Sequence, residues 1–177
     1  LKKFSNDIII INSADSKYSK NLNNELKDYD YIKEYFEIKN DKFLDFGKWV
    51  YALYNIKYNI YDYILFVNDS IIIIEKLDNY FQYIENLPDT INIYGYNDST
   101  QLGKYHYQSY LFLLKSTIIN KFVNHYKSKQ HLIHNQESVI KHLELSLIHI
   151  DKNHDCFLKI AKEYNNHKNL YWENEEL

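Results

Sequence analysis

Two polar clusters each end an apolar run: Asn12-Ser13-Ala14-Asp15 follows Ile8 to Ile11, and Asn68-Asp69-Ser70 follows Tyr63-Ile-Leu-Phe-Val67. Amides, hydroxyls and carboxylates at the end of a strand are the groups that hold polar ligands, because loops there project from a rigid frame. A carboxylate such as Asp69 can take a divalent cation, Mg2+ or Mn2+, whose charge would in turn hold a diphosphate. Asn, Asp and Ser also build turns in any protein, so two ordinary turns are the competing reading.

Asp45-Phe46-Gly47-Lys48-Trp49 contains one of only three glycines, the others being Gly95 and Gly103. In a chain that uses glycine so sparingly, each survivor implies a positive φ or a close approach of backbone. Asp45 precedes a helical stripe, which predicts an N-cap; its other use is to accept hydrogen bonds from a base or ribose. The chain has no arginine, so a diphosphate would have to be held by lysine, histidine, backbone N–H groups or a metal. Lys104 is one such lysine.

The elements that must position these groups are readable from periodicity. Apolar runs predict strands at 7–12, 31–38, 63–67, 91–94, 109–114 and 147–150. The 63–67 run is apolar on both parities, as in a strand covered on both faces. Helical spacing marks 22–29, 46–54, 77–87 (stopping before Pro88), a helix capped by Ser116 and running to Tyr126, 136–145 and 157–164. This alternation predicts an α/β sandwich around a mostly parallel sheet. One domain over residues 1–170 with a frayed tail, 171–177, suits the length.

Composition narrows the function classes. Ile, Asn, Lys and Tyr dominate, the residues of A/T-rich codons, so abundant Tyr and Asn reflect a low-GC genome before they reflect binding. A net charge of -3 with lysines scattered among acids gives no footprint for a nucleic-acid backbone. The single Cys156 cannot form an internal disulfide, which points to a reducing, cytoplasmic compartment. No apolar run is long enough to span a bilayer. The chain opens on Leu1 and contains no Met, which suggests a piece of a longer protein with further domains.

The series from Asp7 to Ser13, Asp45-Phe46-Gly47-Lys48-Trp49, Asn68-Asp69-Ser70 and His106-Tyr107-Gln108-Ser109-Tyr110 resembles the rhamnan synthesis F type of glycosyltransferase. The likeness runs in order over about residues 7 to 150. It implies a GT-A fold, a three-layer Rossmann-like sandwich, and transfer of a sugar, rhamnose at family level, from a nucleoside diphosphate donor to a glycan hydroxyl with inversion. Asn68-Asp69-Ser70 takes the place of the family's Asp-x-Asp metal motif in reduced form. Ser13, Asp45, Asn68 and Asp69 would contact the donor nucleotide. Gly95, His106, Gln108 and Ser109 would line the sugar and acceptor site. His149 or His154 would complete a Mg2+ or Mn2+ site with Asp69. Glu137, in a segment similar to the family's helix start, would be the base that deprotonates the acceptor. A first-turn glutamate favoured by the helix dipole is the plain alternative for Glu137.

Two other functions compete with transfer: a non-catalytic GT-A-like domain that binds carbohydrate or nucleotide, and an unrelated nucleotide-binding module. The second predicts a Gly-rich phosphate loop or paired catalytic aspartates, and the sequence has neither.

Overall fold

The computed structural model describes residues 7–14, 19–71, 77–100 and 103–163. The chain falls into two compact units, 1–57 and 58–177. The expected tail at 171–177 lies outside the described residues.

In the first unit, β1 (Ile8–Ser13) pairs in parallel with β2 (Ile32–Ile38), with an irregularity between Ile8 and Ile9. Four consecutive β-branched residues favour the extended state of β1. Parallel neighbours need a crossover, which α1 (Ser19–Leu26) supplies. Next comes α2 (Leu44–Asn55), which buries Phe46, Trp49, Val50, Ala52 and Leu53, one stripe at helical spacing. Across the unit, Tyr51 meets Phe36 of β2 edge-on, with 5.6 Å between ring centroids.

The second unit is built on β3 (Tyr63–Val67), β4 (Ile93–Ser99), β5 (His106–Tyr107), β6 (Leu111–Lys115) and β7 (His154–Leu158). The order is β3-β6-β4-β5, with β7 also on β4. β4 and β7 run parallel, while β3/β6, β6/β4 and β4/β5 are antiparallel. The α/β class holds, and the sheet of this unit is mixed. Its antiparallel share follows from β6, which runs against both neighbours and is entered from β5 by the short link 108–110.

Helices cover both faces of this sheet. On one, Tyr80 and Ile84 of α3 (Asp78–Asn86) pack with Tyr94 and Leu113. On the other, Phe122 of α4 (Ile119–Lys129) meets the stacked rings of Phe66 and Phe112. Residues 112 and 113 alternate between the faces, as a strand requires. The buried Tyr80 hydroxyl donates to the Tyr94 carbonyl at 2.7 Å, which satisfies both groups away from water.

Toward the C-terminus the elements differ from those expected. Leu147–His149 is a 3-10 turn, with Leu147 and Ile148 buried, and not a strand. The strand is β7, whose last two residues, 157 and 158, fall where the helix 157–164 is expected to begin, and the helical piece α6 (Ile160–Glu163) follows it. Short apolar runs fit either state, and here the open edge of β4 decides in favour of the strand. Helix 136–145 is α5 (Gln136–Val139) running into a π-helical turn, Ile140–Glu144. Ser116 is no cap: a 3-10 turn over 116–118 leads into α4, and its cap makes no side-chain hydrogen bond.

Candidate functional site

β4 sets the site's position. Its last residues Asn97, Asp98 and Ser99 are buried, as are His106 of β5 and Ser109 in the link to β6. They account for five of the six buried polar residues among those described; the sixth is Asp151. Buried polar groups demand partners, so such a concentration at one end of a sheet is organised and not incidental.

Asn97 is its centre. The Tyr110 hydroxyl donates to Asn97 Oδ1 at 2.5 Å, and the Gln108 N–H donates to the Asn97 carbonyl at 3.1 Å. Tyr110 also links to the end of β3, because its carbonyl accepts the Asn68 N–H at 3.1 Å. Antiparallel pairing of β6 with both β3 and β4 forces this meeting: β3 and β4 end where β6 begins.

Asp98 Oδ1 accepts the Ala161 N–H at 2.7 Å, which ties α6 to the end of β4. Oδ2 is buried beside the Tyr105 hydroxyl, and burial together with the Asp98 charge pushes the Tyr105 pKa up. His106 Nδ1 lies 2.8 Å from the Lys104 carbonyl. A carbonyl can only accept, so Nδ1 carries a proton and donates it to that oxygen. Gly95 lies deeper along β4, where a Cβ would stand 2.6 Å from Tyr107 Cγ. Gly95 therefore permits a close approach and presents no group to a ligand.

Asn68 Oδ1 accepts the Ser70 N–H at 3.0 Å, so Asn68-Asp69-Ser70 is an Asx turn and leaves Asp69 exposed. Glu137 is exposed in the first turn of α5, beneath a capping box in which Asn135 and Ser138 bond each other's backbone N–H. His149 is exposed on its 3-10 turn. His154 is in β7, with Nδ1 2.7 Å from the Tyr107 hydroxyl. Among the described residues, no three His, Cys, Asp or Glu side chains are grouped as metal ligands would be.

Ser13 and Asp45 belong to the first unit. Ser13 is the half-buried last residue of β1, and its neighbour Asn12 donates to the Tyr35 hydroxyl at 3.1 Å. Asp45 is not the cap of α2. Phe43 holds that place, its N–H bonded to Asp41 Oδ1 at 2.8 Å, and Asp45 lies in the first turn, 3.8 Å from Lys48. The helix starts one residue before Asp45, at Leu44, whose φ of 52° is left-handed.

Sequence reasoning missed Asn97 and gave Tyr110 too little weight. The available signal was a repeated tripeptide: Asn-Asp-Ser occurs at 68–70 and again at 97–99. The first copy is a turn and the second lies inside a buried strand. No helix among the described residues is long and apolar enough to cross a membrane. Compared with protein-family models, with curated proteins and with solved structures, the chain matches none.

Proposed function

We propose that the chain is a glycosyltransferase that moves a sugar from a nucleoside diphosphate donor to a hydroxyl of a glycan. The observation that carries the reading is the junction at Tyr110. It joins two segments of the family-like series, Asn68-Asp69-Ser70 and His106 to Tyr110, at one end of the sheet through Asn97. Amide, hydroxyl and imidazole groups on strand ends suit sugar hydroxyls, which both donate and accept.

In this reading His106, Gln108 and Ser109 bind sugar and acceptor. Asn68 and Asp69 contact the donor. Mg2+ or Mn2+ at Asp69 would supply positive charge to the leaving diphosphate. Glu137 takes the proton of the acceptor hydroxyl as its oxygen bonds to the anomeric carbon and the bond from that carbon to the diphosphate breaks. A cytoplasmic setting and a rhamnosyl donor belong to the same reading.

Titration with UDP, GDP and dTDP, with and without Mn2+, tests it. One nucleotide should bind, and Asp69→Ala should weaken it about tenfold, the loss expected for a charge-assisted hydrogen bond. No nucleotide binding under any of these conditions sinks the transferase reading; glycan binding without nucleotide binding would leave a carbohydrate-binding domain.

A further inference from the structure

Asp98 uses its two carboxylate oxygens unequally. The residue is 1 % exposed; Oδ1 accepts the Ala161 N–H at 2.7 Å, while Oδ2, also buried, accepts no hydrogen bond among the described residues. None of the five ion pairs among those residues includes Asp98, and Lys159, which follows the Leu158 partner of Asn97, is bound to Asp155 at 2.9 Å. A carboxylate can only accept, and burying its oxygen without a donor is costly, which leaves Oδ2 in need of one.

The strand register explains the leftover oxygen. β7 follows β4 as far as Asn97, opposite Leu158, and then turns away into α6; from Asp98 onward the neighbour is β5, with Asp98 opposite Tyr107 and Ser99 opposite His106. Asp98 thus stands where β4 changes partners, with one oxygen taken by α6. Tyr105 comes two residues before Tyr107, with 6.0 Å between ring centroids, which puts it on the diagonal from Asp98, within reach of an aromatic side chain. Exposure falls along this link: Gly103 and Lys104 are exposed, Tyr105 is half-buried and His106 is buried. The way from solvent to Oδ2 therefore passes Tyr105.

We propose that Asp98 Oδ2 anchors a sugar hydroxyl at the end of β4, and that the hydroxyl reaches it as the Tyr105 phenol swings aside. A ligand hydroxyl replaces the phenolic one like for like, donating to the carboxylate in a charge-assisted bond and keeping its own lone pairs for other donors. The pair selects ligands that present a hydroxyl at this place and rejects those that carry an anionic group there, which the carboxylate repels. This assignment rests on the sugar-binding part of the proposed function, and not on the nucleotide or on transfer.

Calorimetric titration of the whole chain tests it with three kinds of probe: the nucleotides UDP, GDP and dTDP, the nucleotide sugars UDP-glucose, GDP-mannose and dTDP-rhamnose, and the methyl glycosides of the same sugars. Asp98→Asn keeps an oxygen for the Ala161 N–H and replaces the other with an amide nitrogen that can only donate. Affinity for a sugar-bearing probe should fall about tenfold or more in this variant, with no change for bare nucleotide. Tyr105→Phe removes the competing hydroxyl and should tighten the same probe about threefold, an effect that a purely structural role for Asp98 does not produce. It also carries the test should Asp98→Asn fail to fold. Glycosides that respond in this way while no nucleotide binds uphold the Asp98 site and rule out transfer. Nucleotide sugars that bind equally to parent and Asp98→Asn overturn the proposal and leave the transferase reading intact. An equal loss of bare nucleotide in Asp98→Asn, no tightening in Tyr105→Phe, or no binding of any sugar-bearing probe also overturns it.

Discussion

Tyr107 fills the space that a side chain at Gly95 would need. A Cβ on Gly95 would stand 2.6 Å from Cγ and 2.8 Å from Cδ2 of that ring, in a part of β4 and β5 where both residues are buried. Gly103 needs its lack of a side chain for another reason, a φ of 69° with open space around it.

The two glycines should therefore respond differently to alanine. Gly95→Ala forces the Tyr107 ring aside and should cost about 1–3 kcal/mol, as overpacking does. Gly103→Ala should cost about 1 kcal/mol from left-handed backbone strain alone. Urea unfolding of both variants ranks them, and a Gly103 variant as damaged as the Gly95 variant would contradict the contact.

The Tyr110–Asn97 hydrogen bond should be measurable as a coupling. Tyr110→Phe and Asn97→Ala are expected to cost about 1–2 kcal/mol each in stability, and the double variant less than their sum by about 0.5–1.5 kcal/mol. If the site binds sugars, glycan or nucleotide-sugar affinity should fall in both single variants. Strict additivity would mean that the pair does not act as a unit.

Acid should weaken the second unit through Asp151. Burial alone would raise this carboxyl, but hydrogen bonds from Lys121 at 2.6 Å, the Asn153 N–H and Asn92 outweigh it and hold the pKa below the usual value. A carboxyl lowered on folding stabilises the fold above its unfolded pKa of about 3.9 and loses that contribution as pH falls through the folded value. Asp151→Asn should be less stable than the parent at pH 7, and the gap should close below about pH 4. Thermal melts from pH 3 to 8 read it out; a gap independent of pH would remove the charge from the explanation.

Cys156 offers a probe of β7. It lies opposite Gly95 of β4 and is fully buried, and burial with the nearby Asp98 and Asp155 charges pushes the pKa of its thiol up. A protonated, enclosed thiol is a poor nucleophile. A thiol reagent at pH 8 should react with the native chain at least 100-fold more slowly than with the urea-unfolded chain. Rapid native labelling would show that β7 leaves β4 easily.

Much of the fold could be read from side-chain period. β3 was expected at 63–67 and spans Tyr63–Val67; α2 and α3 followed their apolar stripes closely. Elements decided by distant neighbours could not be read this way. Leu147, Ile148 and Cys156 are all buried, yet the first two sit on a turn and the third on a strand, because only residues 154–158 reach the edge of β4. The candidate site divides likewise. His106, Gln108 and Ser109 stood out by type, while Asn97 did not: the repeated Asn-Asp-Ser marks two places in the sequence, but only the pairing of β4 buries the second copy.

β4 is bordered by β6 on one side and, along the other, by β7 over residues 93–97 and β5 at 98–99. Its partners are thus made both soon after it and some sixty residues later. On a ribosome, β6 and β5 can close around β4 as soon as they emerge, but the stretch 93–97 keeps unsatisfied backbone groups until β7 is synthesised. For that interval a nascent chain exposes a ready strand-pairing edge, a point at which chaperone capture and misassembly compete with native completion.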